Sequence, residues 1–171
     1  VADWFGMLNG KMNGDLEKIK TVGEYFIEVW NACGMDLENV EFLWTSDFIK
    51  EHPEYWETVL KLSMNATVQR VLRCGQIMGR EESTSNPSSQ ILYPLMQAAD
   101  IHHLEADIAQ LGMDQRKVNM LARDIFPKLG LKRPVVVSHH MLMGLKETKA
   151  EGLEGADAAI AKKMSKSNPD S

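Results

Sequence analysis

Apolar residues recur at spacings of three and four between Asp15 and Gly34. Leu16, Ile19, Val22, Phe26, Val29 and Cys33 mark one face of a helix that Gly34 is placed to stop. Val40 to Thr45 is short, rich in β-formers and bounded by polar turns, so a strand is expected there. Pro53 suits the first turn of a helix over Glu54 to Ser63, and Asn65 is placed to cap another from Ala66 to about Met78. Arg80 to Ser89 reads as a loop. Gln90 to His103 reads as a helix that tolerates Pro94 in its first turn. A short strand over Glu105 to Leu111 ends at Gly112, a helix covers Asp114 to Phe126, and Val135-Val136-Val137 within Pro134 to Ser138 has the look of a buried strand. Gly144 to Ala161 shows little periodicity and is expected to be a mobile insertion. Strands alternating with helices predict an α/β fold with a parallel sheet.

A length of 171 residues fits one domain, and 44% hydrophobic residues exclude disorder as the default. The balance of 19 basic to 24 acidic residues gives no overall basic footprint, so a nucleic-acid partner would have to be met locally. No apolar run approaches the roughly 18 residues of a membrane span, and Val1 to Gly10 does not resemble a signal peptide. Cys33 and Cys74 form neither a CxxC pair nor a disulfide framework, which suits a reducing compartment and points to the cytoplasm.

Three groups of residues carry candidate chemistry. Lys163-Met164-Ser165-Lys166-Ser167 puts two ammonium groups three residues apart beside two hydroxyls, able to close over a polyphosphate; a solvated basic loop is the plainer alternative. Tyr93, Gln97 and Asp100 stand at i, i+4 and i+7, which places a phenol, an amide and a carboxylate on one helix face, able to grip a small polar molecule. Met113-Asp114-Gln115-Arg116-Lys117 opens a helix whose N–H groups could receive a polar ligand; alone it would pass for capping. The five histidines are no metal site, because the adjacent pairs His102-His103 and His139-His140 diverge and no Cys or carboxylate completes a zinc-like spacing.

The runs Tyr93-Pro94-Leu95-Met96-Gln97-Ala98-Ala99-Asp100-Ile101, Gln110 to Lys117, Ser138-His139-His140-Met141-Leu142 and Lys163 to Ser167 stand in an order that resembles tyrosyl-tRNA synthetases of the archaeal and eukaryotic type. Ala2-Asp3-Trp4-Phe5 and Cys74 to Arg80 are similar to the same family, so the resemblance spans nearly the whole chain. It implies a class I catalytic core, a partial Rossmann-like parallel sheet with a helical connecting insertion, which activates tyrosine with ATP and Mg²⁺ and transfers it to tRNA(Tyr). On that resemblance, Asp100 accepts from the tyrosine phenol, Tyr93, Gln97 and Gln115 hold its amino group, and Gln76 and Phe5 line the pocket. Lys163 and Lys166 steady the ATP phosphates, with Met164, Ser165 and Ser167 in the same loop, and His139, His140, Met141 and Leu142 lie beside the nucleotide. A homodimer through the region after Arg80 is implied as well, with no tightly bound metal.

The family's His-Ile-Gly-His-like signature and first-strand tyrosine-binding residue have no counterpart here, and no anticodon-binding region follows Lys163. The expected organisation is thus a single partial catalytic domain: sheet and helices over 1–80, helical insertion and pocket helices over 81–126, and a last strand with a mobile loop over 127–171. Turnover is expected of the parent protein rather than of the 171-residue chain alone. A tryptophanyl-tRNA synthetase is the alternative within the class; Gln97 three residues before Asp100 and the complete Lys163 to Ser167 loop favour tyrosine. A non-catalytic binding or regulatory module on the same fold is the alternative from outside it.

Overall fold

The computed structural model describes residues 1–76, 87–144 and Met164. Two units emerge, Val1–Glu57 and Thr58–Ser171. The first begins with a short helix, α1 (Asp3–Leu8), followed by α2 (Leu16–Ala32). The carboxylate of Asp15 caps α2 by accepting from the Lys18 N–H at 3.2 Å. Gly34, at φ +86°, ends it in a Schellman turn, with Met35 N–H donating to Trp30 O and Gly34 N–H to Asn31 O. Asp3, 2% exposed, accepts at Oδ1 from the N–H groups of Trp4 and of Ser46 on α3 (Thr45–Glu51), so one buried carboxylate ties the two helices together.

The strand expected over Val40 to Thr45 does not form. Val40 and Trp44 are extended (φ −126°, ψ 125° and φ −85°, ψ 124°), but Thr45 already starts α3. A strand needs a ladder of partners. Here the ammonium of Val1 donates to Leu43 O and Val1 O accepts from Thr45 N–H, which is the two-sided exchange of a single parallel bridge centred on Trp44. Trp44 also fills the space left by Gly23 of α2: a Cβ there would lie 2.6 and 2.9 Å from ring atoms of Trp44.

Helix α4 (Glu54–Met64) follows Pro53 as expected. The next helix, α5 (Val68–Gln76), starts two residues later than the sequence suggested. Thr67 Oγ1 accepts from Arg70 N–H at 3.3 Å and is the cap, whereas Asn65 Nδ2 turns back to close α4 on Lys61 O. The part of the expected helix beyond Gln76 lies outside the described residues, as does most of the 80–89 loop.

In the second unit α6 (Ser89–His103) begins one residue early, and Pro94, its sixth residue, lies in the second turn, as it would also have done from Gln90, and not in the first turn where it was expected. Its ring replaces the N–H that would have reached Gln90 O, and the buried Pro94 repays this by packing. Glu105, at φ +50°, ends α6 in a second Schellman turn, which delays the first strand, β1, to Ile108–Gly112. A 3₁₀ turn, Met113–Gln115, leads into α7 (Arg116–Ile125), and the chain returns as β2 (Val135–His139), parallel to β1. Leu95, Met96, Ala98 and Ala99 of α6 pack with Val118, Leu121, Ala122 and Ile125 of α7, all 0–2% exposed.

The valine run is less buried than expected. Val135 and Val137 are 53% and 45% exposed, and Ile108, in register with Val135, is 61% exposed. Alternate side chains of a strand face opposite ways, and only the Ala109 side of the sheet is buried, under α7. Gly144 is described, whereas 145–161 of the expected insertion lies outside the described residues.

Gly23→Ala would gain about 1 kcal/mol of helix propensity on an open face. Against the Trp44 ring it is instead expected to destabilise by about 1–3 kcal/mol, measured as a lower urea midpoint at unchanged slope. Burial pushes the Cys74 thiol above its ordinary range, while Cys33 is exposed. Because the thiolate is the nucleophile, iodoacetamide near neutral pH should label Cys33 and spare Cys74 until the protein is denatured, as read by mass spectrometry.

Candidate active site

The parallel pairing sets Gly112 opposite His139, so β1 and β2 finish side by side. Ligands of such sheets bind outside the carboxyl ends of the strands. Beyond Gly112 the chain bends tightly: a Cβ there would lie 2.6 Å from Asp114 Oδ1 and 3.2 Å from the sulfur of Met141. The turn is therefore closed by Asp114, 9% exposed, on one side and by the residue two past β2 on the other.

Above this turn α6 presents Tyr93, Gln97 and Asp100, each half-buried, along the face its spacing predicts. Gln97 Nε2 donates to Gln115 Oε1 at 3.1 Å, joining α6 to the start of α7. With the amide so turned, Gln97 Oε1 is buried and has no hydrogen-bond donor. Such an atom costs about 1–3 kcal/mol, more than a neutral hydrogen bond of about 1 kcal/mol returns. The arrangement leaves a buried acceptor without a donor at Gln97 Oε1.

A second amide shares this feature. Asn119, 0% exposed, lies one turn beyond Gln115 on α7, and neither Oδ1 nor Nδ2 has a partner. Sequence reasoning did not single it out, although an asparagine among Val118, Leu121, Ala122 and Ile125 on the apolar face of a helix was visible as an anomaly. Gly112 was likewise absent from the expected site, since nothing local marks a glycine as sterically obligatory, while Asp114 was expected only as part of the polar segment that opens α7.

The other expected residues are placed as follows. His139 ends β2, with His140 and Leu142 exposed and Met141 half-buried. Met164 N–H donates to Leu142 O at 2.7 Å, which sets the Met164 backbone three residues past the end of β2. Lys163, Ser165, Lys166 and Ser167 themselves lie outside the described residues, and so does the side chain of Gln76, which ends α5. Phe5 is buried in α1, within the first unit. His103 Nε2 meets Thr58 Oγ1 at 2.9 Å and His102 stands edge-on to Phe126. Among the described residues no three His, Cys, Asp or Glu converge on a metal position. No described helix is long and apolar enough to cross a membrane.

The family model for class I tRNA synthetases of the tryptophan and tyrosine type matches residues 1–171. The chain belongs to that family. Among relatives of this synthetase chain, the cytoplasmic tyrosine–tRNA ligase 2 of Arabidopsis thaliana is 53% identical over 100% of the chain and 22% of its own length. The tyrosine–tRNA ligase of Picrophilus torridus is 45% identical over 100% of the chain and 50% of its own. A tyrosyl-tRNA synthetase from Leishmania major, solved with tyrosinol, superposes with a TM-score of 0.86 at 50% identity, covering 99% of this chain and 24% of that one. The chain thus spans half or less of the length of these relatives. Its α/β architecture is the Rossmann-like fold of class I synthetases.

In a double-mutant cycle of Gln97→Ala and Gln115→Ala, the synthetase chain should show a coupling of about 0.5–1.5 kcal/mol in unfolding free energy. Strict additivity would mean that the two amides do not bond in solution.

Proposed function

We propose that the full-length protein activates tyrosine with ATP and transfers it to tRNA(Tyr), and that this chain supplies the amino-acid-binding helices and one side of the nucleotide site. The observation that carries the reading is the Gln97–Gln115 hydrogen bond, which sets the Tyr93–Gln97–Asp100 face beside the turn at the carboxyl ends of β1 and β2. The names of the relatives and the tyrosinol bound to the Leishmania major neighbour support tyrosine as the amino acid.

In this site the tyrosine ammonium donates to Gln97 Oε1 and Gln115 Oε1, with Tyr93 beside them, and Asp100 accepts from the phenol. His139, His140, Met141 and Leu142 flank the nucleotide at the end of β2, and, on the family resemblance, Lys163 and Lys166 follow the phosphate charge with Met164, Ser165 and Ser167 beside them. Attack of the tyrosine carboxylate on the α-phosphorus expels pyrophosphate and needs no covalent protein intermediate. Catalysis then rests on alignment and on cations placed where charge develops. Mg²⁺ would arrive on the ATP phosphates, as an ion that keeps most of its waters and takes few protein ligands. A homodimer working in the cytoplasm completes the reading and rests on the family resemblance.

Amino-acid-dependent ATP–pyrophosphate exchange by the full-length protein is the test. Exchange is expected with tyrosine, and exchange with tryptophan in its place would overturn the assignment. Asp100→Ala in the same protein should lower the preference for tyrosine over phenylalanine, as a ratio of kcat/KM, by about 10- to 100-fold, the worth of a hydrogen bond to a charged group. The KM for ATP should stay unchanged. An unaltered amino-acid ratio would remove Asp100 from the phenol.

A further inference from the structure

The apolar face of α2 runs from Leu16 to Cys33, but only its first half is covered. A Cβ on Gly6 of α1 would lie 3.2 Å from Ile19, and the Trp44 ring closes over Gly23. Beyond Gly23 the cover ends: Val29, Trp30 and Cys33 are exposed, and Tyr25 is 64% exposed. The rings there are not scattered. Tyr25, Phe26 and Trp30 follow one another at centroid distances of 6.1 and 6.2 Å, and Phe42 of the following loop stacks on Trp30 at 5.9 Å and 7°. A contiguous, open apolar surface marks an interaction site, whereas single exposed apolar residues do not.

The charges around these rings are of one sign. From Thr21 to Ile49 there is no Lys or Arg, against Glu24, Glu28, Asp36, Glu38, Glu41 and Asp47. Asp47 is answered by Lys20 at 3.9 Å and Lys50 at 3.1 Å. Glu24, Glu28, Glu38 and Glu41 are exposed and, among the described residues, pair with no cation. Glu24 and Glu28 stand one turn apart on α2 with Tyr25 between them in sequence, and Glu41 adjoins Phe42, so carboxylates border the rings. We propose that this face of the first unit docks a basic segment of a partner protein, one in which arginine alternates with apolar side chains. A guanidinium suits the surface in two ways, because it stacks on aromatic faces and pairs with carboxylates through a planar fork. The apolar side chains of the segment then cover Val29 and Trp30. Nucleic acid and an anionic membrane are disfavoured by the same carboxylates, which their phosphates would face. A second copy of the chain is disfavoured likewise, since an isologous pairing lays the acidic border against itself. The inference does not rest on the tyrosine-activating reading, whose Gln97 and Gln115 belong to the second unit.

The test is fluorescence anisotropy of a labelled peptide of alternating arginine and leucine, titrated with the full-length protein. Binding is expected and should weaken as salt is raised, while the same peptide with glutamate in place of arginine should not bind. Trp30→Ser, and separately Glu24→Gln together with Glu28→Gln, should each raise Kd about tenfold, and the glutamine pair should also flatten the salt dependence. Should Trp30→Ser not fold, Tyr25→Ser carries the same readout. Absence of binding by the unaltered protein, as when another part of the chain is seated on this face, would overturn the proposal. So would a Kd that these substitutions leave unmoved, or one raised equally by Glu54→Gln together with Glu57→Gln, which would mean attraction to net charge alone.

Discussion

The in-register parallel pairing of β1 with β2 is the constraint on which the described site depends, because it makes two distant stretches of chain end at the same level. Parallel strands cannot be joined by a tight turn, so the connection must cross over, and α7 is that crossover. The helix therefore starts beside the carboxyl end of β1, next to the end of β2. Gly112, Asp114 and Met141 then crowd into a turn that has no room for another side chain. Were the register of the two strands to slip by one residue, Met141 and the Leu142 carbonyl that receives Met164 would move away from this turn.

Resting on that base, the contact between α6 and α7 combines two kinds of energy. Its apolar part, from Leu95, Met96, Ala98 and Ala99 against Val118, Leu121, Ala122 and Ile125, is non-directional and fixes the distance between the helices. Its polar part is directional: one hydrogen bond from Gln97 to Gln115, and buried amide atoms on Gln97 and Asn119 that find no partner. Stability alone would favour an apolar replacement for such groups. Their presence in the interior is a cost to the fold that packing does not explain.

Much of this was legible along the chain. The three- and four-residue spacing from Leu16 to Cys33 marked α2, and Gly34 marked its end, because helices are built from contacts within four residues. The face of Tyr93, Gln97 and Asp100 followed from the same periodicity. Val40 to Thr45 misled because β propensity reports suitability for a sheet, whereas a strand exists only where another backbone bonds to it; Val1 supplies one bridge and Thr45 enters a helix. The valine run misled in a related way, since only the Ala109 side of the two-stranded sheet lies under a helix.

By itself, then, the sequence determined the helices α2, α4, α5, α6 and α7, though not α1 or α3, and the order of the motifs and through them the family, all properties that depend on neighbours in the chain. The tertiary structure decided that Gln97 bonds Gln115 through Nε2 and leaves Oε1 without a donor, that Asn119 is enclosed without a partner, and that Gly23 and Gly112 have no room for a methyl group. Those facts depend on atoms brought together from separate elements, where a shift of an ångström makes or breaks a hydrogen bond and no local periodicity records it.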